Sequence, residues 1–361
     1  MTTSSTVLIL ASSRSVHTLR WATGMQKLGW QIQLLTADPD EPHDYGSIPL
    51  HRMKHSGRFT YLRSVGLLRK LHKKINPSLV HAFYATNYGL LAVLARVRPL
   101  LLSVMGTDVF SYPQKSYFHL MGTSAILKRA DCVAATSQVM VRRVKWFRGG
   151  PESVVHTPFG VDLSRFKPDP QAQTQDESRP FRIVSVRHLE YKYGLDVLIE
   201  AAALIHRQHS WLRFSLDMYG EGAERAALEA QIEANGLTGI ARLPGPLEPE
   251  RIPEVLQRAD VAVVPSREES FGVAVLEASA CGLPVIGSKV GGIPEVLKEG
   301  ETGLLFPRQN VAALESCLLR IASEPYTRQR FGVAGRRFVE ATYSEDACLQ
   351  RMHALYTQLT Q

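Results

Sequence analysis

Short apolar runs of strand length recur along the chain, at 7–10, 32–35, 79–81, 100–104, 132–135 and 154–156, with helically spaced apolar residues between them. A strand covered on both faces reads as a continuous apolar run, so this rhythm predicts β-α-β-α units around a parallel sheet. Residues 168–180, PDPQAQTQDESRP, offer almost nothing to bury and are bounded by prolines, which predicts a linker. The rhythm restarts with runs at 181–186, 212–219, 261–264 and 284–286 and helical patterns at 195–206 and 223–235, so a second parallel sheet is expected. A final helix at 345–359 carries Cys348, Met352, Leu355, Tyr356 and Leu359 at helical spacing. The expected organisation is α/β: one Rossmann-like domain over 1–167, a second over 181–344, a cleft between them, and helix 345–361 crossing back to the first.

Charge changes this picture more than bulk composition does. The net charge of +8 is unevenly placed, with 22 Lys and Arg against 9 Asp and Glu over residues 1–170, and 20 against 25 over the rest. Such asymmetry points to an anionic partner for the first half. Arg58, Arg63, Arg69, Lys70, Lys73 and Lys74 alternate with Phe59, Leu62, Leu67, Leu68 and Leu71. This basic amphipathic segment reads either as an anionic-membrane contact or as the solvated outer face of a helix covering the sheet. Cys132, Cys281, Cys317 and Cys348 form neither a CxxC pair nor a zinc pattern, and no apolar run approaches the ~18–20 residues of a spanning helix. The start lacks a basic region ahead of its apolar run. A cytoplasmic protein is expected, with peripheral contact at the inner membrane face as the alternative setting.

The segment PSREESFGVAVLEASACGLPVI, residues 265–286, carries the most chemistry. A buried strand ends at Pro265, a loop follows, and a helix is expected from about Gly272 to Cys281, with Gly282 as its stop. Ser270, Phe271 and Gly272 fall where a helix start offers unpaired N–H groups and a positive dipole end, the setting for a diphosphate. Glu269 and Glu277 flank that seat, about 12 Å apart at helical rise. A carboxylate accepts paired hydrogen bonds from a diol, so one suits a ribose and the other a hexose.

With these residues in view, the stretch 264–307, VPSREESFGVAVLEASACGLPVIGSKVGGIPEVLKEGETGLLFP, resembles the Glu-x7-Glu block of family-4 retaining glycosyltransferases. The resemblance implies the GT-B fold, a nucleoside-diphosphate sugar as co-substrate, transfer of a hexose-type group with retention, and no metal or other cofactor. In that family the first glutamate, here Glu269, contacts the donor sugar, and the second, Glu277, the ribose hydroxyls. Arg187 and Lys192, in SVRHLEYKYGLDVLIEA, resemble the family's diphosphate clamp. Two fixed cations there stabilise the departing diphosphate in the transition state. Gly220, in the turn Gly220-Glu221-Gly222, and the backbone around Leu304 are similar to donor-lining positions.

In the first domain, ASSRSVHTLRWATGMQKLGW opens a strand-to-helix loop of the kind that faces the donor in many bacterial relatives. Ser13 and Ser15 there either contact a phosphate or acceptor or simply cap the helix. Relatives often carry two histidines separated by one residue at the end of a central strand, the second near the reacting sugar. Here His81 is present, Phe83 stands at the second position, and His81 is either catalytic or a satisfied core histidine. Asp108, in Met105-Gly106-Thr107-Asp108, binds an acceptor hydroxyl or caps the turn that follows it.

The expected partners are a nucleotide sugar and a glycan, lipid-linked or small-molecule acceptor in polysaccharide or glycolipid biosynthesis. Asp38-Pro39-Asp40 is the only Asp-x-Asp triplet and follows the second strand, so no metal site is read there. A dehydrogenase is disfavoured because GxGxxG is missing after 7–10 and after 181–186. A sugar-nucleotide epimerase or phosphorylase of the same architecture and a non-catalytic sugar-nucleotide-binding partner are the alternatives. Nucleic acid is not expected, since no reading motif accompanies the basic half.

Overall fold

The computed structural model describes residues 5–40, 43–54, 57, 59–149, 153–169 and 179–361. The chain divides into two compact units, Met1–Phe159 with Asp346–Gln361, and Gly160–Glu345.

The first unit is a parallel sheet of β1 (Thr6–Leu10), β2 (Gln31–Thr36), β3 (Leu50–Arg52), β4 (Leu79–Phe83), β5 (Leu100–Val104), β6 (Cys132–Ala135) and β7 (Val154–His156), ordered β3-β2-β1-β4-β5-β6-β7. β1 and β4 are wholly or nearly wholly buried, as continuous apolar runs require. Two apolar layers cover the sheet. One holds Leu68, Leu71, Leu91 and Leu127 from the intervening helices. The other joins Val7, Ile9 and Trp30 to Cys348, Met352, Leu355 and Tyr356 of the terminal helix Glu345–Thr360, which returns to this unit as its apolar stripe predicts. Trp30 donates its Nε1–H to His353 Nδ1 at 2.9 Å. Gly24 lets that helix settle, since a Cβ there would lie 2.4 Å from Leu349.

The second unit contains β8 (Phe181–Val186), β9 (Phe214–Tyr219), β10 (Ala241–Gly245), β11 (Val261–Val264), β12 (Val285–Ser288) and β13 (Gly303–Phe306), all parallel, in the order β10-β9-β8-β11-β12-β13. The strand order reverses between β8 and β11, registered Val261 to Ile183 and Ala262 to Val184. Loops leaving these two strands diverge to opposite faces of the sheet, and the crevice they open is where such folds receive ligands. β3, β10 and β13 escape the sequence reading, and all three are sheet edges. An edge strand has one neighbour and is short or half-exposed, so its apolar signal is weak.

The first unit ends at Phe159, ahead of the 168–180 segment. Residues 160–169 already belong to the second unit: Val161 N–H donates to Tyr343 O at 2.9 Å, and the buried Phe166 offers its carbonyl to Arg336 Nη1 at 2.6 Å. Residues 170–178 of the expected linker, and Arg58 of the basic segment, lie outside the described residues.

Candidate functional site

β8 delivers Arg187 as the first residue beyond the sheet, its N–H still continuing the ladder to Tyr219 O at 2.9 Å. β11 delivers the loop 265–272. Arg187 Nη2 forms an ion pair with Glu269 Oε2, both side chains being largely buried. The guanidinium also lies over the Tyr193 ring, 4.4 Å from its centre. Arg187 Nη1 is buried and has no hydrogen-bond partner among the described residues. A buried guanidinium edge without an acceptor is costly, so this edge can receive an anion. Lys192 reaches the surface and pairs with Glu190 at 2.7 Å. Burial alone would lower its ammonium pKa, but Glu190 and Tyr193 outweigh that and raise it, so it stays a cation.

The loop carrying Glu269 is held on both sides. Lys192 O accepts from Arg267 N at 2.8 Å and Glu268 N at 3.2 Å, and Glu269 O accepts from Gly292 N at 3.0 Å. Gly291 has φ of 51°, and a Cβ there would lie 1.7 Å from Glu269 O, so only glycine permits the approach. The same holds for Gly220, whose Cβ would meet Arg187 O at 1.8 Å. Gly220 therefore serves by letting the end of β9 lie on the Arg187 backbone. Gly272 caps the helix Val273–Ala280 in a left-handed conformation, and Glu277 is half-buried on its second turn. Ser270 is half-buried beside Glu269.

At two donor-site positions, both read from the sequence as backbone contacts, the side chain is turned into the core. The Phe271 side chain is buried against Tyr343, with ring centres 5.8 Å apart, so only its backbone faces the loop. Leu304 lies within β13, its backbone paired with Ile286 and its side chain in the core, which removes that side chain from ligand contact.

The first unit closes most of its corresponding positions with its own groups, although His17 Nδ1 and Thr18 Oγ1 just beyond the serine loop are buried without a partner among the described residues. His81 is fully buried, Nδ1 2.6 Å from Tyr356 Oη and Nε2 2.7 Å from Ser103 Oγ. Burial pushes its pKa down to about 3, so the ring is neutral and both nitrogens are occupied. That corrects the catalytic reading: His81 pins the terminal helix to the sheet. Asp108 is buried as well and accepts from Ala85 N at 2.7 Å, Met105 N at 3.1 Å and Gly106 N at 2.9 Å, which is turn capping and leaves no room for an acceptor hydroxyl. Burial raises its pKa against these three donors. Ser15 caps the helix Val16–Lys27. Ser13 Oγ donates to Asp40 O at 3.1 Å, and Asp38 Oδ2 receives Ser12 Oγ at 2.6 Å and Arg14 N at 3.3 Å. The anion at this serine loop is thus the chain's own Asp38. Burial opposes its ionisation, but bonds from Ser12, Arg14, Thr36 and Ser13 prevail and lower its pKa.

The profile described as "Glycosyl transferases group 1" matches residues 167–338, the stretch that carries Arg187, Glu269 and Glu277, and that described as "Glycosyl transferase 4-like" matches residues 6–137. The chain belongs to the group 1 glycosyltransferases. The D-inositol 3-phosphate glycosyltransferase of Corynebacterium diphtheriae is 30% identical over 59% of this chain, which spans 52% of that relative's length. The one from Actinosynnema mirum is 26% identical over 96% of this chain and 92% of its own length. Among solved structures, sucrose-phosphate synthase from Thermosynechococcus elongatus superposes with a TM-score of 0.87 at 25% identity, covering 98% of this chain and 99% of that one. The Anabaena HepE structure with UDP has a TM-score of 0.82 at 19% identity, covering 98% and 100%, a likeness of fold.

One element of this group 1 glycosyltransferase is missed by sequence reasoning. Arg267 is nearly buried and makes a bidentate pair with Asp196 at 2.7 and 2.5 Å, bonds Tyr191 O at 2.8 Å, and covers the Tyr191 ring at 4.0 Å. It clamps the loop of Lys192 to the loop of Glu269. An arginine two residues before a motif glutamate, and an aspartate opening the helix that follows Lys192, are the only signal the sequence holds, and 71 residues separate them. Among the described residues, no helix is long and apolar enough to cross a membrane.

Proposed function

We propose that this glycosyltransferase moves a hexose-type group from a nucleoside-diphosphate sugar to an acceptor hydroxyl, with retention at the anomeric carbon and without a metal. The observation that carries the reading is the buried Arg187 guanidinium, fixed by Glu269 through Nη2 with Nη1 left unpartnered. A diphosphate oxygen at Nη1 would complete it, and Glu269 would keep the guanidinium aimed as charge develops on the leaving group. Lys192 adds a second, mobile cation. Glu269 would take a donor-sugar hydroxyl on its remaining lone pairs, and Glu277 a ribose diol. No carboxylate is set as a nucleophile in this reading, so attack proceeds from the face of the departing group. Relatives named for inositol 3-phosphate, glycogen and sucrose phosphate leave a hydroxylic acceptor as the common class, in keeping with glycan or glycolipid synthesis.

The test incubates the protein with uridine-, guanosine- and adenosine-diphosphate sugars plus chelator, following nucleoside-diphosphate release and thermal shift together. One donor is expected to stabilise the protein and to be slowly hydrolysed, with both effects lost in Arg187→Ala. No stabilisation and no release with any donor would overturn the reading, and release only after adding a divalent ion would overturn metal independence. Anomeric analysis of the product by NMR checks retention.

A further inference from the structure

The apolar side of the basic helix Val65–Ile75 is already taken, because Leu68 and Leu71 are buried in the core while Lys70, Lys73 and Lys74 face solvent. Arg69 is occupied too, its guanidinium on the carbonyls of Leu94 and Ala95 at 2.9 and 3.2 Å. An element with only charge left attracts an anionic surface but cannot enter it. Phe59 and Leu62, just ahead of this helix, are half-exposed, but the most exposed apolar cluster is on another part of the same unit. Helix Tyr117–Arg129 leaves Tyr117 69%, Phe118 84% and Met121 51% exposed, three large side chains on one turn. The next helix, Gln138–Arg148, packs beside it through Ser124 Oγ on Phe147 O at 3.1 Å and exposes Trp146 by 62%. Single exposed apolar residues need no explanation, but a turn of three at this exposure does.

Charge selects what covers them. Residues 45–149 contain seventeen Lys and Arg against two acids, Asp108 and Asp131. Asp108 is buried and bonded to backbone, and Asp131 is paired with Arg98 at 3.0 Å, so neither offsets the basic surface. Lys115 precedes the aromatic turn, and Arg143 lies over the Trp146 ring at 4.8 Å. Aromatic rings with a polar edge beside Lys and Arg match the headgroup layer of an anionic bilayer, where the rings enter the boundary and the cations meet lipid phosphates. A polyanion such as nucleic acid would use the cations and leave Phe118 and Met121 without purpose.

We propose that the turn Tyr117, Phe118 and Met121, with Trp146 and the surrounding Lys and Arg, is a docking surface by which the first unit rests on an anionic lipid membrane. The inference does not depend on the donor reading, and it moves the membrane contact from the basic helix to this aromatic turn.

Flotation of the full chain with phosphatidylcholine vesicles, with and without phosphatidylglycerol, tests it. The protein is expected to float with anionic vesicles at low salt, to stay behind with neutral ones, and to lose at least about tenfold of its bound fraction in Tyr117→Ser/Phe118→Ser/Met121→Ser. Those side chains face solvent, so the triple variant should melt like the parent. Tyr326→Ser, an equally exposed aromatic of the other unit, should float like the parent. Failure of the parent to float overturns the proposal. So does flotation of the triple variant at parental level, which would leave charge alone as the cause. Self-association of the parent that the triple variant abolishes would assign the turn to a second copy of the chain.

Discussion

The two sheets share a strand order that reverses at β1/β4 in one and β8/β11 in the other, yet the loops at those two points are finished in opposite ways. Beyond β1, Ser12, Ser13 and Arg14 N–H close around Asp38, and beyond β4, Asp108 takes the Ala85 N–H. Beyond β8, Arg187 is buried with Nη1 unpartnered. Buried polar groups are normally satisfied, so the donors around Asp38 are spent on the chain's own carboxylate, while the Arg187 edge can still take an anion. Topology names the place where a ligand can bind; the local inventory of donors and acceptors decides whether one is needed.

The largest test of that contrast is Arg187→Ala. Nucleoside-diphosphate release should fall by roughly 10²–10³-fold in kcat/KM, the usual effect of removing one fixed stabiliser of developing charge. The same change strands Glu269 without its partner, at a cost of about 3–5 kcal/mol. Arg187→Met/Glu269→Leu should regain most of that stability in denaturant unfolding while remaining inactive, and a double variant as unstable as the single one would show that the pair is structural.

On the closed side, His81→Ala should lower stability by about 1–3 kcal/mol through the unpaired Tyr356 and Ser103 hydroxyls, with kcat of the folded protein unchanged. A large drop in kcat would return His81 to the chemistry. The folded ring protonates only near pH 3, against an ordinary value of 6.5. Between those values the unfolded chain binds the extra proton, so stability falls as pH falls from 6.5 towards 3, by up to ~1.4 kcal/mol per unit. His17, held down to about 4 by burial and Arg20, adds to the same slope, and His81→Asn should flatten it in melting curves taken across this range.

Arg267→Ala acts on the open side at one remove. Losing the clamp to Asp196 should reduce kcat about tenfold with a smaller change in KM, because it misplaces groups without removing them. Equal losses in thermal stability and none in kcat would make the clamp merely structural. The smallest effect is expected from Asp38→Ser, which vacates the serine loop. Its melting temperature should rise in sulfate by the equivalent of about 1 kcal/mol or less, as for an anion at a helix start, whereas the parent should not respond.

Much of this arrangement is legible before folding. Strands central to either sheet announce themselves as continuous apolar runs, and the block around Glu269 and Glu277 marks the donor loop. Three of the four edge strands, Leu50–Arg52, Ala241–Gly245 and Gly303–Phe306, do not, because each has one neighbour and a weak apolar signal, while the edge at Val154–His156 is still read from its apolar pair. The status of single polar residues is the least legible. Ser13, His81 and Asp108 carry the same side chains whether they bind a ligand or other groups of their own chain.

The sequence by itself determined what depends on neighbours along the chain: the βα rhythm, the helix that opens after Gly272, the apolar stripe of the last helix, and the basic first half. Tertiary structure decided what depends on partners far apart in sequence. Glu269 fixes Arg187 from 82 residues away, and Tyr356 bonds Nδ1 of His81 from 275 away. Periodicity records which way a side chain points, because that follows from local helix and strand geometry. Which polar groups end as each other's partners, and which are left open for a ligand, is set only when distant loops meet.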